Sequence, residues 1–197
     1  MTEGKDSKPG LDLLDSADII NQDIVRPVDL GFLPFGQWNN VPTSISSLKS
    51  SYFSRKNNVS RRFEHKLWNS LKIVEQYPHL FSYIGVAWVS DTVIKVNKTI
   101  FASFLGIGCV EGGLFHKQGN FTRHGFEIMK EQDVRASVGL SISDIDFHTV
   151  VLVTNTKGEF GRSSDEQAIQ ACRWENPMSP PRVAIMKAPY VDNQGPI

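Results

Sequence analysis

An α+β domain of three helices and a small β-sheet is what this sequence predicts, and three observations carry it. "RRFEHKLWNSLKIVEQYP" repeats apolar residues at helical spacing. "YIGVAWVSDTVIKVN" is rich in β-branched and aromatic residues around a turn-like "SD". "KTIFASFL", "GIGCV" and "EGGLFHKQ" then read as a helix, a tight turn and a further short helix. The order is helix, strands, helix, turn, helix, strand. That is the order of a winged helix-turn-helix domain, in which the third helix is the one offered to DNA.

Each element has a local reason. In the first helix Phe63, Leu67, Leu71 and Val74 form one stripe, widened by Trp68. Ser60 is the expected cap, Pro78 the stop, and order is expected to begin near Arg61. Short strands are expected at Val86–Val89 and Thr92–Val96. Asn97 caps the second helix, Ile100, Phe101, Phe104 and Leu105 face the core, and Gly106 ends it. The third helix runs from about Glu111 to Gln118, with Gly119 as its stop. Gly112 and Gly113 leave open a second arrangement, a loop with the helix starting later. "FTRHGFEIMK" returns to extended structure, with Phe126 and Ile128 on one face.

The flanks predict a division into residues 1–50, acidic and largely disordered, 51–130, the winged-helix domain, and 131–197, a C-terminal extension. "LDLLDSADII" suits a short amphipathic helix or a segment that folds on a partner. "RPVDLGFLPFGQWNNVP" reads as loop with a few aromatic anchors, or as a disordered linker. In the extension "HTVVLVTNTKGEF" holds a strand-like run and a turn, "DEQAIQACRW" one short helix, and the proline-rich end is expected to be unpacked. A strand there either adds to the wing or belongs to a mostly disordered tail.

A net charge of zero hides segregation. From Lys49 to Lys130 there are twelve basic and five acidic residues, so the segment carries +7 and the flanks carry −7. This asymmetry favours a polyanionic partner at the centre, with solvated surface lysines as the equally weighted alternative. No apolar run reaches membrane-spanning length, and "MTEGKDSKPG" is too polar for a secretory signal. Cys109 and Cys172 read as free thiols.

Enzymatic readings fare poorly. "GIGCVEGG" only faintly resembles a dinucleotide fingerprint, with a helix before it where a strand is required. Cys109, His116 and His124 match no common zinc spacing and lack a fourth ligand. No metal, cofactor or catalytic residue is therefore expected. Trp68 and Trp88 are read as core ahead of stacking platforms.

The candidate site is nucleic-acid binding. His116, Lys117, Gln118 and Asn120 carry donors and acceptors suited to base edges, and Arg123 and His124 lie just beyond. Arg55, Lys56, Arg61 and Arg62 precede the first helix, suited to an arm along phosphates. Lys98 sits in the first turn of the second helix, against the helix dipole, and a nearby phosphate would remove that objection.

"RRFEHKLWNSL", "YPHLFSYIGVAWVSDTVIKVNKTIFASFLGI" and "LFHKQGNFTRHGF" together resemble the initiator-binding domain, a winged-helix module of certain protists that recognises the initiator at transcription start sites. The skeleton also looks like heat-shock-factor DNA-binding domains, but "HKQGN" stands where that family's third helix ends differently, so base preference does not transfer. The resemblance implies a nuclear, sequence-specific binder of double-stranded DNA that regulates transcription by RNA polymerase II. It implies contacts from His116, Lys117, Gln118, Asn120 and Arg123 to the groove, and from Lys98 and Arg62 to the backbone. Transcription machinery, met through the acidic or C-terminal flanks, is the second implied partner, and no membrane is. Some relatives carry a further domain that engages the polymerase tail, and the stretch after Met129 is short for it. The competing readings are a winged-helix protein-interaction module and a binder of single strands or RNA.

Overall fold

The computed structural model describes residues 23–130, 132–134 and 146–172. The "LDLLDSADII" stretch and the proline-rich end lie outside the described residues. The fold is mixed α+β, several helices against small antiparallel sheets.

Strands β1 (Ile24–Val25) and β2 (Thr43–Ser44) pair antiparallel. Ser44 caps α1 (Ile45–Leu48), its Oγ accepting from the Ser47 amide, and the chain continues as a π-helical turn over Lys49–Phe53. Order thus begins well before the expected Arg61. Val25, Phe32, Leu33, Ile45, Leu48 and Phe53 already belong to the main core.

The reason lies in α2 (Phe63–Gln76), where every residue from Phe63 to Leu71 is buried. A single apolar stripe does not need such cover on all sides. β3 (Val86–Trp88) packs along α2, and the N-terminal segment is fastened to it by polar groups. Asn69 accepts from the Leu33 amide at 2.7 Å and donates to the Leu33 carbonyl at 2.8 Å. Trp68 Nε1 donates to the Gly31 carbonyl. Arg62, not Ser60, occupies the cap position, without a side-chain capping bond. Pro78 opens a 3-10 turn, Pro78–Leu80, which leads into α3 (Phe81–Ile84).

β4 (Val93–Asn97) pairs with β3 and carries straight into α4 (Lys98–Phe104). Asn97 caps α4 as its sequence predicts, Oδ1 accepting from the Ile100 amide at 3.1 Å. Phe101, Phe104 and Leu105 are buried, and Gly106 leaves the helix at φ 68.

The third helix differs from expectation: it is broken in two. Glu111–Phe115 forms one π-helical turn, closed by the His116 amide on the Glu111 carbonyl. His116 then turns extended at ψ 165, and a short helix, α5 (Asn120–Arg123), starts after Gly119. Gly119 joins the pieces because a Cβ there would fall 2.5 Å from the Leu114 carbonyl carbon. "FTR" is therefore helical, where extended chain is expected.

β5 (Phe126–Ile128) and β6 (Val150–Asn155) complete a four-stranded antiparallel sheet of order β3-β4-β6-β5. The C-terminal strand is thus interior to the sheet, with Leu152 and Val153 buried. α6 (Glu166–Ala171), capped by Asp165, packs Ile169 toward α2.

Candidate nucleic-acid interface

The scaffold under the interface is aromatic. Phe121 on α5 meets four rings: Phe63 at 5.1 Å, Phe126 at 5.5 Å, Phe101 at 6.0 Å and Phe115, stacked at 5.3 Å. Such contacts fix α5 and the π turn against α2, α4 and β5, each ring pair adding about 1 kcal/mol beyond burial.

On that scaffold His116, Lys117 and Gln118 are all exposed, in the turn between the π turn and α5. The Gly119 amide donates to the His116 carbonyl at 2.6 Å, and Thr122 Oγ1 donates to the Phe115 carbonyl. Three side chains able to donate to or accept from a polar surface thus project from a short, closed turn.

Asn120 is placed differently. Its Nδ2 donates to the Gly113 carbonyl at 2.9 Å, and its Oδ1 accepts from Asn57 Nδ2 at 3.2 Å. It clamps the π turn from one side and the loop before α2 from the other. Arg123 is half-buried on α5. His124 is not part of an exposed exit. It is buried, its Nδ1 2.6 Å from the Asn120 carbonyl and its Nε2 3.2 Å from Glu64 Oε2.

The loop joined through Asn57 is the basic one. Arg55 and Lys56 are exposed, and Arg61 and Arg62 are half-buried. Asn58 shapes its tip: Oδ1 accepts from the Ser60 and Arg61 amides, and Asn58 bridges Arg61. Arg62 Nε donates to the Val59 carbonyl, and its guanidinium lies 3.9 Å from Glu64. Lys66 reaches back from α2, its Nζ donating to the Arg55 carbonyl and, at 2.9 Å, to Asn57 Oδ1. Burial, reinforced by the charge of Arg61, lowers Lys66 to about 8.

Arg55, Lys56 and Asn120 line one cavity and are thereby brought together. Lys98 stands apart from them. Its ammonium pairs with Glu111 at 3.1 Å, so a carboxylate already answers the unfavourable dipole position.

Sequence reasoning missed Asn57, Glu64 and Lys66. The available signal was charge inside "RRFEHKLW", a helix start too polar for burial unless its charges are paired or bonded. Among the described residues no group of three His, Cys, Asp or Glu gathers to hold a metal ion, and no helix is long and apolar enough to cross a membrane. Both cysteines are free thiols, Cys109 exposed and Cys172 buried.

No curated protein matches the chain. Among solved structures, the chain is similar to the initiator binding domain of T. vaginalis IBP39, crystallised bound to the alpha-SCS Inr element. Identity is 23%, the match covers 61% of this chain and 96% of that one, and the TM-score is 0.42. Residues 39–146, more than half of the chain, match the family model of the transcription-initiator DNA-binding domain, a DNA-binding and not an enzyme family. The segment includes the basic loop, the exposed turn and the clamp between them, and the chain belongs to the initiator-binding domain family.

Proposed function

We propose that this protein binds double-stranded DNA in a sequence-specific way at the initiator of core promoters, and that it regulates transcription by RNA polymerase II in the nucleus. Family membership supports the ligand class. The observation that carries the reading within the molecule is the Asn57–Asn120 hydrogen bond, which holds the basic loop beside the exposed His116–Gln118 turn.

The working unit is read as a winged helix-turn-helix. α4 and the π turn with α5 stand as the helix-turn-helix, and the paired strands β5 and β6 as the wing strands. The β4-β6-β5 strand order supports this, since the wing strands must pair with the strand that precedes the second helix. The unit is read to take in residues 51–130, which lie within the 39–146 stretch that the family model matches.

Roles divide by geometry. His116, Lys117 and Gln118 read base edges, with Arg123 beside them. Arg55, Lys56, Arg61 and Arg62 meet phosphates and set register without reading sequence. Asn120 holds the reading turn in place, since both ends of its amide are engaged by protein. Lys98 reaches a phosphate only by leaving Glu111.

Selection from a random duplex library, followed by sequencing of the bound pool, tests the reading. A single enriched motif is expected. A pool no different from the input, with salt-insensitive retention, would instead mark a protein-interaction module. Preference for unpaired strands would mark a single-strand binder.

A further inference from the structure

Lys66 is 2% exposed. Among the described residues no carboxylate lies within ion-pairing distance of it. Its hydrogen-bond partners are neutral oxygens, the Arg55 carbonyl and Asn57 Oδ1. An ammonium has three donors, so one remains. A buried cation is costly unless paired, and this one sits among further cations.

Lys66 also lines a half-open cavity of 150 Å³. The loop before α2 supplies Ser54, Arg55, Lys56 and Asn57 to its wall. The stretch after α4 supplies Leu105, Gly106 and Ile107, and α5 supplies Asn120. No acid lines it, and Arg61 adds positive potential from the same loop. The hollow far exceeds the ~15 Å³ that one water needs. A concave, cation-lined, carboxylate-free site concentrates anions.

We infer that this cavity is a phosphate site, in which Lys66, Arg55 and Lys56 take one phosphate group beside the amides of Asn57 and Asn120. The inference deepens the duplex-binding reading and rests on it for the source, a phosphate of the DNA backbone. The hydrogen-bond relay from Lys66 through Asn57 to Asn120 then places that phosphate in fixed register with the reading turn. Lys66 is thereby a direct ligand with a positioning role as well. Its lowered proton affinity supports the same picture. As pH rises through about 8 the free protein gives up the Lys66 proton, and a phosphate bound against it draws the proton back.

The test uses the full chain in three forms: wild type, Lys66→Gln and Lys66→Arg. Random-sequence duplex is titrated across salt. Lys66→Gln is expected to flatten the slope measurably, by up to about 0.9 unit for the one phosphate that Lys66 shares with Arg55 and Lys56, and Lys66→Arg to retain it. Calorimetry at pH 8.5, in two buffers of different ionisation heat, is expected to show proton uptake on duplex binding by wild type and none by Lys66→Gln. In a separate arm inorganic phosphate alone is titrated while labelled lysine side chains are followed by NMR, with an upward shift of the Lys66 titration expected.

A wild-type slope in folded Lys66→Gln, with the same proton uptake, overturns the site and leaves the DNA reading standing. A phosphate response without any duplex binding sustains the site and removes the DNA reading. Should Lys66→Gln fail to fold, the wild-type measurements decide alone: no uptake with duplex and no shift with phosphate overturn the inference.

Discussion

Glu64 Oε2 lies 3.2 Å from His124 Nε2, and both side chains are buried. The opposite ring nitrogen faces the Asn120 carbonyl, which can only accept, so Nδ1 carries a proton. The pair fastens the start of α2 to the end of α5.

His124→Ala is therefore expected to destabilise the protein by about 3 kcal/mol or more, because it strands a buried carboxylate. Glu64→Leu combined with His124→Phe should recover much of that loss, since apolar packing can replace a buried pair. Urea melts of Glu64→Leu, of His124→Phe and of the double variant form the check. Additive losses in the double variant would show that the two side chains do not act as a pair.

Asn120→Ala removes the clamp between the Gly113 carbonyl and Asn57. Two lost hydrogen bonds predict a stability loss of about 1–2 kcal/mol. Duplex discrimination should fall further than stability implies, because the reading turn and the basic loop lose their common register. Measuring affinity for a selected and a scrambled duplex separates the effects. An unchanged ratio between the two duplexes would make the clamp purely structural.

The helices and strands that local pattern specifies were legible in the sequence. Asn97 is a cap, Gly106 a stop, Pro78 a break, and Val150–Asn155 a strand, each for a reason contained within a few residues. What was not legible depends on partners far along the chain. The burial of Phe63–Leu71 on all sides follows from Leu33 docking on Asn69, thirty-six positions away. The π turn follows from close packing of Gly113 and Gly119, where propensity alone favours a plain helix or a loop. Site residues divided the same way. Exposed Lys117 and Gln118 could be chosen by chemistry, but Asn57 and Lys66 matter through contacts that no spacing reveals.

The proton affinity of Lys66 also fixes a trend in stability. Lys66 titrates at about 8 when folded and near 10.5 when free. Between those values the unfolded chain holds more protons, so stability rises with pH. Cys172, pushed by burial from 9.0 up to about 12, works in the opposite direction above 9. The rise should therefore be clearest from pH 8 to pH 9, and Lys66→Met should abolish it. Urea midpoints at pH 7, 8 and 9 test this, and a rise that persists in Lys66→Met would assign it to another group.

Glu111 holds Lys98 in an exposed pair. Neutralising it by Glu111→Gln frees that ammonium, and removes one negative charge from the face that is to meet DNA. Affinity for random duplex should increase several-fold, with the salt slope steeper by up to about 0.9 unit. Stability should change little, since such surface pairs contribute roughly 0–1 kcal/mol. Filter binding at low and high salt measures both quantities, and weaker binding would mean that Glu111 helps to hold the π turn in its binding shape.

Lys117 and Lys56 offer the sharpest comparison of reading with anchoring, because both are exposed. Arg62 is a poorer choice for anchoring, since its guanidinium also approaches the buried Glu64. Lys117→Ala should cost about 1–3 kcal/mol on the selected duplex and much less on a scrambled one, because a base-edge contact exists only on the correct sequence. Lys56→Ala should weaken both duplexes alike and flatten the salt dependence by about one unit, because a phosphate is present in every sequence. Equilibrium titrations on the two duplexes at three salt concentrations resolve the contrast. Equal losses on both duplexes from Lys117→Ala would move base reading away from the His116–Gln118 turn, and loss of discrimination from Lys56→Ala would move it into the basic loop.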